Sequence, residues 1–479
     1  MIGVGLVQSL SPMVAGASKS SPQNTGPCWV VDSQQEWTDA RQSAGDIQLK
    51  NGFAEPIGVN GKFESIVKSY GKKKKPSSIV FRQSPVWDNW KQIDDITPEG
   101  IGNAFVILPV APGDYYLFAT INHPVVYAKG MTADERRAYK KKYFKDNPIP
   151  AEEKGYQVWH STDLKTWTHH GQVCKSHWMT TAEYIDGKFY LYYDQPNDQE
   201  PHLIIDDDLK DGVYGKEMGM VFNDPSDGSD IAIFRDEDGT VHLIYEDWKA
   251  VPPAERGFDS PLAGHTSSPD GIHGFTPHKH AFAIDHRTNP TGKFAKDRRG
   301  TEYEIHEPEQ NVYGDYTMVK VGGRYYLFGD YDPAGEGKMR ICRFTTDDIY
   351  KEFTFAGEIG EGFHPDPSIG FAEGQFYIVM QQETDFVSPG PWVDGVEARA
   401  GVDIDGDGGI DEWTAWQQVR ETYAQKPGFA RIVDVEPAML DMSALPAGFG
   451  FKFEFKTTPL EANQVQPIMD RVEFNFQKG

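Results

Sequence analysis

The most constraining feature of this sequence is a unit that recurs five times along the chain. Each copy has a polar residue, a short apolar strand, a turn that contains Gly and a second strand rich in aromatic residues. Apolar runs separated by such turns predict β-hairpins, and a β unit that recurs along a chain is typical of propeller blades. The polar residues that open the five copies are Asn103, Glu183, Asp230, Asp315 and Asp366.

The third copy, which begins at Asp230, is the clearest hairpin. A carboxylate at the start of a buried strand costs free energy unless it is paired or used. Asp230 could cap a strand on a surface loop, but the recurrence of polar residues at this place favours a functional role. The innermost strands of a propeller begin around one end of its channel, so we expect a ring of carboxylates there, with Asp94 and Asp95 just upstream of Asn103.

The outer halves of the units recur as well, most clearly as a strand, a polar turn and an aromatic residue over Val158–Trp167. The sequence therefore predicts an all-β fold with a five-bladed β-propeller over residues 81–390. An N-terminal extension spans 1–80, and the strand 78–82 is expected to close the ring. A C-terminal segment over 391–479 is expected to hold a calcium loop, a helix from Glu412 to about Tyr423 and closing strands.

Two of these stretches resemble a known family. The Asp230 hairpin resembles the third-blade signature of glycoside hydrolase family 43, and Trp159–Trp167 is similar to a turn shared by families 43, 32 and 117. The resemblance covers roughly residues 85–385. It implies that Asp230 tunes the general acid and orients the substrate. The fourth-blade acid of the family aligns near Gly314, one residue from Asp315, and Asn103 stands near the place of the first-blade base.

These differences favour a relative of family 117, the anhydro-galactosidases of red-algal galactans, which use a His near the fourth-blade acid. His306 could fill that place, and Glu309 and Asp315 are further candidates for the acid, because acetal cleavage needs a proton donor. The base is expected at Asp94 or Asp95.

Further residues are expected to bind the substrate around the channel mouth. Trp87 and Trp90 could stack on a sugar ring, although core packing is the commoner role of Trp. Asn103, Glu183 and Asp366 belong to the polar ring, and His364 directly precedes Pro365 and Asp366. An insertion over 252–300 carries five histidines. They are expected to be polar loop residues that reach over the channel rather than ligands of a metal ion.

A calcium loop is predicted after the last copy. Acidic residues and glycines alternate there, and the oxygen ligands of alternate positions converge on one cation. Thr414 stands where an EF-hand has Glu, so the loop is closer to dockerin-type loops. A further ion could lie in the propeller channel. The predicted calcium ligands are Asp403, Asp405, Asp407, Gly409 and Asp411.

Charge and cysteine content limit the function further. The chain has 47 Lys and Arg against 72 Asp and Glu, a net charge of −25, which argues against nucleic acid and anionic membranes. No apolar run is long enough for a transmembrane helix, and three distant cysteines form no disulfide framework. Residues 1–17 have the apolar core of an export signal without a basic beginning. We expect a periplasmic or extracellular protein that could oligomerise through its N-terminal extension.

The sequence thus predicts an exo-acting glycoside hydrolase that cleaves oligosaccharides from algal or plant polysaccharides. Two carboxyl groups, one acid and one base, are what such cleavage needs. Two other functions stay open: a noncatalytic carbohydrate-binding propeller, favoured by Asn103 at the place of the base, and a propeller polysaccharide lyase, which would need a Tyr, His or Lys base beside an acidic sugar.

Overall fold

The computed structural model describes residues 29–477, apart from 58–59, 86, 88, 177, 196–199, 224–228, 248–262, 283–288, 297–301, 308–311, 333–338, 361, 363–365, 382–383, 392–394 and 458–466. The fold is all-β, as predicted, and the described residues include two α-helices. Neither of these helices has the length and apolar character needed to cross a membrane.

The N-terminal segment forms helix α1 (Gln34–Ala40) and seven short strands. Ser33 caps α1, because its side chain accepts a hydrogen bond from the backbone N–H of Glu36. The strands are β1 (Trp29–Val31), β2 (Arg41–Gly45), β3 (Ile47–Lys50), β4 (Phe53–Pro56), β5 (Gly61–Ser65), β6 (Lys68–Lys74) and β7 (Pro76–Gln83).

The middle of the chain contains most of the strands. They are β8 (Lys91–Asp94), β9 (Ile101–Ala111), β10 (Asp114–Ile121), β11 (Tyr156–Ser161), β12 (Trp167–Cys174), β13 (Met179–Ile185), β14 (Lys188–Asp194), β15 (Pro201–Asp206), β16 (Lys216–Met220), β17 (Ser229–Arg235), β18 (Val241–Glu246), β19 (Ala263–Ser268), β20 (Thr276–Pro277), β21 (Asn289–Lys296), β22 (Glu302–Glu307), β23 (Val312–Val321), β24 (Arg324–Asp332), β25 (Arg340–Thr346), β26 (Thr354–Ile359), β27 (Ser368–Ala372), β28 (Gln375–Val379) and β29 (Thr384–Ser388).

Helix α2 (Ala133–Asp146) lies between β10 and β11, followed by a 3-10 turn at Ala151–Glu153. Thr132 and Glu135 form a capping box: the Thr132 N–H donates to Glu135 Oε2 (2.8 Å), and the Glu135 N–H donates to Thr132 Oγ1 (3.3 Å). These two hydrogen bonds fix the start of α2.

The C-terminal segment adds eight strands. They are β30 (Val396–Asp403), β31 (Glu412–Trp413), β32 (Gln417–Gln418), β33 (Thr422–Gln425), β34 (Ile432–Glu436), β35 (Ala438–Asp441), β36 (Gly448–Thr457) and β37 (Met469–Phe476). The prediction of a helix from Glu412 to Tyr423 is wrong. Strands β31 and β32 instead pair with β30, and this pairing overrides the local helical preference.

The two ends of the chain share two sheets. One has the order β3-β4-β37-β7-β35 with β1 on β37, and the other has the order β2-β5-β36-β30-β31 with β6 on β36. A single aromatic-rich cluster that includes Trp37, Phe63, Phe81 and Phe453 fills the space between them. Strand β7 therefore belongs to this pair of sheets, and the prediction that it closes the ring is wrong.

Five further sheets are up-and-down meanders, which we number along the chain. Sheet 1 contains β9–β12, sheet 2 β13–β16, sheet 3 β17–β20, sheet 4 β23–β26 and sheet 5 β27–β29. Strand β8, from before the first meander, pairs with β29 and completes sheet 5. The first strands of consecutive sheets neighbour one another, and β27 neighbours β9.

Neighbouring meanders pack face to face. On β17, Ile231 and Ile233 pack against sheet 2, whereas Ala232 and Phe234 pack against sheet 4. Successive side chains of a strand point to opposite faces, so both faces of sheet 3 are buried. Separate apolar clusters join sheets 1 and 2, sheets 4 and 5, and sheets 5 and 1.

Candidate active site

Three aspartates lie where the first strands of three consecutive sheets begin. Asp230 is in β17, Asp315 is in β23 and Asp366 lies two residues before β27. All three have left-handed backbones, with φ of 46°, 48° and 56°. Such a conformation costs a non-Gly residue ~1–3 kcal/mol and is concentrated at functional sites. We call the end of the sheets at which these residues lie the aspartate end, and the opposite end the far end.

A second row of carboxylates holds the backbone of these aspartates. Each acceptor lies near the end of the second strand of the preceding sheet and is fully buried. Their hydrogen bonds satisfy N–H groups that the left-handed turn leaves outside the ladder. The donor and acceptor pairs are the Asp230 N–H with Asp194 Oδ2 (2.9 Å), the Asp315 N–H with Glu246 Oε1 (3.1 Å) and the Asp366 N–H with Asp330 Oδ1 (2.8 Å).

This second row is not among the predicted residues, although the chain carries a signal for it. Asp194 precedes Asp230 by 36 residues, and Asp330 precedes Asp366 by the same 36 residues. The third pair is separated by 69 residues because the chain forms two extra strands, β21 and β22, after sheet 3. A search for acidic residues at the ends of the second strands would have found all three.

The crowding of carboxyl groups sets the protonation of the site. Burial raises the pKa of Asp315 well above its ordinary value, and the charges of Asp366, Asp230, Asp330 and Glu246 raise it further. Burial also raises the pKa of Asp366, although a hydrogen bond with Asp315 opposes this shift. The rise in its pKa favours the protonated form of Asp315, which can hydrogen-bond the carboxylate of Asp366.

This arrangement combines a protonated carboxylic acid with further carboxylates at one place. Groups whose surroundings separate their pKa values are suited to act as an acid and a base. Carboxylate oxygens of Asp315, Asp330 and Asp366 also lie within 4.8 Å of one another. Hard oxygen ligands of this kind fit a cation such as Ca²⁺ or Mg²⁺. A bound cation would keep Asp315 ionised, so a channel ion and a protonated Asp315 are alternatives at this cluster.

The far end of the meanders is covered by the hairpin β33–β34. Strand β34 pairs in parallel with the end of β23. Arg431, which precedes β34 and is 4% exposed, donates to the carbonyl oxygens of Ala182 (2.9 Å) and Ile369 (3.3 Å). Its guanidinium Nε lies 3.5 Å from Glu183 Oε2. One buried cation, which precedes the second strand of the far-end hairpin, thus connects the first strands of sheets 2 and 5.

Glu183 was expected at the channel mouth, and the structure places it against the buried guanidinium of Arg431 instead. It is 1% exposed. Burial raises its pKa, and the charge of Arg431 opposes the rise. A group sealed in this way cannot reach a sugar, so Glu183 does not join the three aspartates. For Asn103, the described backbone lies in β9.

Asp94 and Asp95 lie at the outer edge of sheet 5 and are exposed. Asp94 ends β8, which is three strands from β27. With strands ~4.7–4.9 Å apart, this separation is ~14 Å. The structure therefore does not bring the expected base residues together with Asp230 and Asp315.

Trp87 and Trp90 are core residues. They are 1% and 6% exposed, and their rings stack on each other with centroids 5.2 Å apart. Both pack between sheets 4 and 5, where Trp87 Nε1 donates to Ser388 Oγ (3.1 Å). Burial leaves no ring face for a sugar, so the stacking role expected for them is not possible in this structure.

The remaining predicted residues lie partly outside the described structure. The backbone of His306 is in β22, opposite Pro290 of β21. Glu309 and His364 lie outside the described residues.

The predicted calcium loop connects β30 to β31 in the sandwich of terminal strands. Carboxylate oxygens of Asp403, Asp405 and Asp411 lie within 4.8 Å of one another. The buried Asp403 accepts hydrogen bonds from the N–H groups of Gly406 (2.7 Å) and Gly408 (3.0 Å). Asp407 accepts one from the N–H of Gly409 (2.7 Å). The loop is folded so that acidic oxygens converge.

Part of the chain matches a known family. Residues 112–282, which include Asp230, match the family model described as "Glycosyl hydrolases family 43". The predicted resemblance to family 43 is confirmed. The protein is a glycoside hydrolase. The hydrolase matches no curated protein.

The hydrolase is similar to several solved structures. A thermostable family-43 glycoside hydrolase is 14% identical, with 76% of this chain and 98% of that chain covered and a TM-score of 0.37. An endo-arabinase from Bacteroides thetaiotaomicron is 11% identical, with 64% and 96% covered and a TM-score of 0.39. An exo-β-1,3-galactanase from Phanerochaete chrysosporium is 10% identical, with 80% and 100% covered and a TM-score of 0.37.

Proposed function

We propose that the five meanders are the blades of a five-bladed propeller whose active site is the cluster of Asp230, Asp315 and Asp366 at the aspartate end. The observation that carries this proposal is the set of left-handed aspartates on three consecutive first strands. Strain held by a buried second row of carboxylates is expected of a site selected for chemistry. The family match in residues 112–282 supports the same reaction class.

Within this cluster we assign the acid to Asp315. Its raised pKa keeps a proton available for the leaving glycosidic oxygen. The side chains of Asp315 and Asp366 are hydrogen-bonded to each other, whereas the two carboxyl groups of retaining and inverting pairs stand ~5–5.5 Å and ~6.5–9.5 Å apart. These two therefore act as one proton-sharing unit. Asp94 and Asp95 lie away from the cluster. We therefore assign the activation of water to Asp230, on the neighbouring first strand, in addition to the tuning and orienting role that the resemblance implies.

The proposed substrate is the end of an oligosaccharide from a plant or algal polysaccharide. Hairpin β33–β34 covers the far end of the first strands, which supports entry from the aspartate end alone, as suits an exo mode. An anhydro-galactosidase-like activity remains part of this proposal, because Gly314 offers no side chain at the place of the family acid. A periplasmic or extracellular location would bring the enzyme to such a substrate.

A product assay tests the proposal. The enzyme is incubated with arabino-, xylo- and galacto-oligosaccharides and with red-algal galactan oligosaccharides. New reducing ends without unsaturated products are expected. Unsaturated products would instead identify a lyase, and binding without any product would identify a noncatalytic sugar-binding protein. Either of these two results contradicts the proposed function.

We also propose that the loop 403–411 binds calcium in a structural role. Oxygens of Asp403, Asp405 and Asp411 converge, and their mutual repulsion would be relieved by one divalent cation. Since this loop joins β30 to β31 in the sandwich of terminal strands, calcium is expected to affect stability rather than chemistry.

A further inference from the structure

Three Asp–His pairs occur on the meanders among the described residues. In each pair an imidazole nitrogen lies within hydrogen-bond distance of a carboxylate oxygen. The pairs are His160 with Asp114 (2.8 Å), His273 with Asp270 (3.1 Å) and His280 with Asp247 (2.6 Å).

The direction of the strands separates these pairs. First and third strands run from the aspartate end to the far end, and second and fourth strands run back. Asp114 begins a second strand and Asp270 follows a third strand, so both lie at the far end. Asp247 follows the second strand of sheet 3 and His280 follows the fourth. Of the three pairs, this one lies at the aspartate end.

The backbone ties this pair to the proposed site. Asp247 directly follows Glu246, whose Oε1 accepts the N–H of Asp315. Next to His280, the N–H of Ala281 donates to the carbonyl oxygen of Ala263 (2.8 Å), and Ala263 is paired with Glu246 across the sheet. The side chain of His280 is 38% exposed and that of Asp247 13% exposed, so the imidazole is accessible while its partner is mostly covered.

The distance from the centre of the ring determines what such a pair can reach. The second strand of a sheet lies ~5 Å from the first and the fourth ~14 Å from it. A side chain between the second and fourth strands therefore lies to one side of the aspartates, away from the bond that they cleave. We propose that His280, oriented by Asp247, hydrogen-bonds a hydroxyl of the sugar unit that adjoins the cleaved bond. This inference rests on the proposed function.

The chemistry of the pair fits this role. An imidazole fixed by a carboxylate keeps one orientation, and a binding group that is oriented in advance costs less entropy on association. His280 is then a specificity residue: it favours substrates with a second sugar over substrates with a non-sugar leaving group.

The test compares His280→Gln with the unmodified enzyme on two substrates. One is the oligosaccharide that is cleaved in the product assay, and the other is the 4-nitrophenyl glycoside of the same terminal sugar. We expect about a tenfold lower kcat/KM on the oligosaccharide, mostly through KM, which corresponds to one lost hydrogen bond. The rate on the 4-nitrophenyl glycoside should be unchanged. Asp247→Asn should give part of the same loss, and it carries the test if His280→Gln does not fold.

His273→Gln, at the far end of the same sheet, is the matched control and should behave like the unmodified enzyme on both substrates. The inference is overturned if His280→Gln leaves the oligosaccharide rate unchanged, or if it lowers both rates equally. Failure of the proposed function is a separate result, in which the unmodified enzyme releases no sugar from any oligosaccharide.

Discussion

The two ends of the meanders contain the same kind of side chain in opposite surroundings. At the far end, Asp236 accepts hydrogen bonds from Lys320 Nζ (2.7 Å) and Tyr325. Burial alone would raise the pKa of Asp236, but these donors hold it below its ordinary value. At the aspartate end, Asp315 faces the carboxyl groups of Asp366 and Asp230, and its pKa is raised.

The comparison shows that the partners of a carboxyl group, not its place in the repeat, decide its role. Lys320 also lies 2.9 Å from Glu237, which contacts Lys426 of the β33–β34 hairpin. A carboxylate paired with cations keeps a fixed charge and contributes to stability. A carboxyl group crowded by like charges keeps a proton that it can donate. We therefore expect the far end to stabilise the ring and the aspartate end to carry the proposed chemistry.

The largest expected effect is the loss of turnover in Asp315→Asn. The amide cannot donate a proton to a glycosidic oxygen, so kcat should fall by ~10²–10⁴-fold, the range for positioned acids and bases. The melting temperature should not fall, because one crowded carboxyl group is removed. Asp186→Asn is the control: this exposed far-end residue pairs with Arg235 (2.8 Å), and such surface pairs contribute little. Normal kcat in Asp315→Asn would remove Asp315 from the acid role.

Substitution of Arg431, which ties the far-end hairpin to the sheets, should lower the free energy of unfolding. Arg431→Met leaves Glu183 buried without its cation and removes two hydrogen bonds to carbonyl oxygens. Breaking a buried pair from one side costs ~3–5 kcal/mol, so urea unfolding should show a loss of this size. The double variant with Glu183→Gln should recover part of it. A single variant as stable as the unmodified protein would show that the hairpin does not hold the ring.

The stability of the protein should depend on pH through Asp385, which lies at the aspartate end, at the start of the third strand of sheet 5. Burial and the nearby Asp95 raise the pKa of Asp385 from 3.8 to about 8. Below its ordinary pKa, both the folded and the unfolded chain hold the proton. Above it, only the unfolded chain ionises, so this contribution to stability is lost as the pH rises towards about 8.

Comparing the free energy of unfolding at about pH 5 and about pH 9 measures this loss. Asp385→Asn should reduce the difference between the two values. An equal pH dependence in the variant and the unmodified protein would show that Asp385 does not carry the effect.

The smallest expected effect is at the calcium loop, outside both ends. Calcium at 100 times its dissociation constant should stabilise the protein by ~2.7 kcal/mol. Asp405→Ala should weaken this stabilisation, as read from melting temperatures with calcium and with a chelator. If a chelator leaves the melting temperature of the unmodified protein unchanged, the loop is not a structural calcium site.

Much of the fold follows from local patterns in the sequence. Asp230, Asp315 and Asp366 each precede an apolar strand, a Gly turn and an aromatic strand, and the period of this unit predicted the meanders. The capping box of Thr132 and Glu135 is equally local. Such signals are readable because the residues that form the structure are neighbours in the chain.

The errors arose where partners are distant in sequence. Strand β7 has the apolar alternation of a ring-closing strand, but its partner β37 lies nearly 400 residues away by sequence number. Trp87 and Trp90 are of the residue type that stacks on sugar rings, and only the packing of sheets 4 and 5 shows them to be core residues. Glu183 stands at the start of its repeat unit like the other acidic residues, and its role in a buried ion pair becomes visible only from its contact with the distant Arg431.

The most direct test compares two aspartates that flank one strand. Asp230 lies at the aspartate end of β17, and Asp236 directly follows its far end. For Asp230→Asn and Asp236→Asn, kcat and melting temperature are measured on the same preparations. The account predicts that Asp230→Asn loses ~10²–10⁴-fold in kcat with an intact melting temperature, whereas Asp236→Asn keeps its kcat and melts at a lower temperature. Near-normal turnover in Asp230→Asn together with a lowered melting temperature would contradict it.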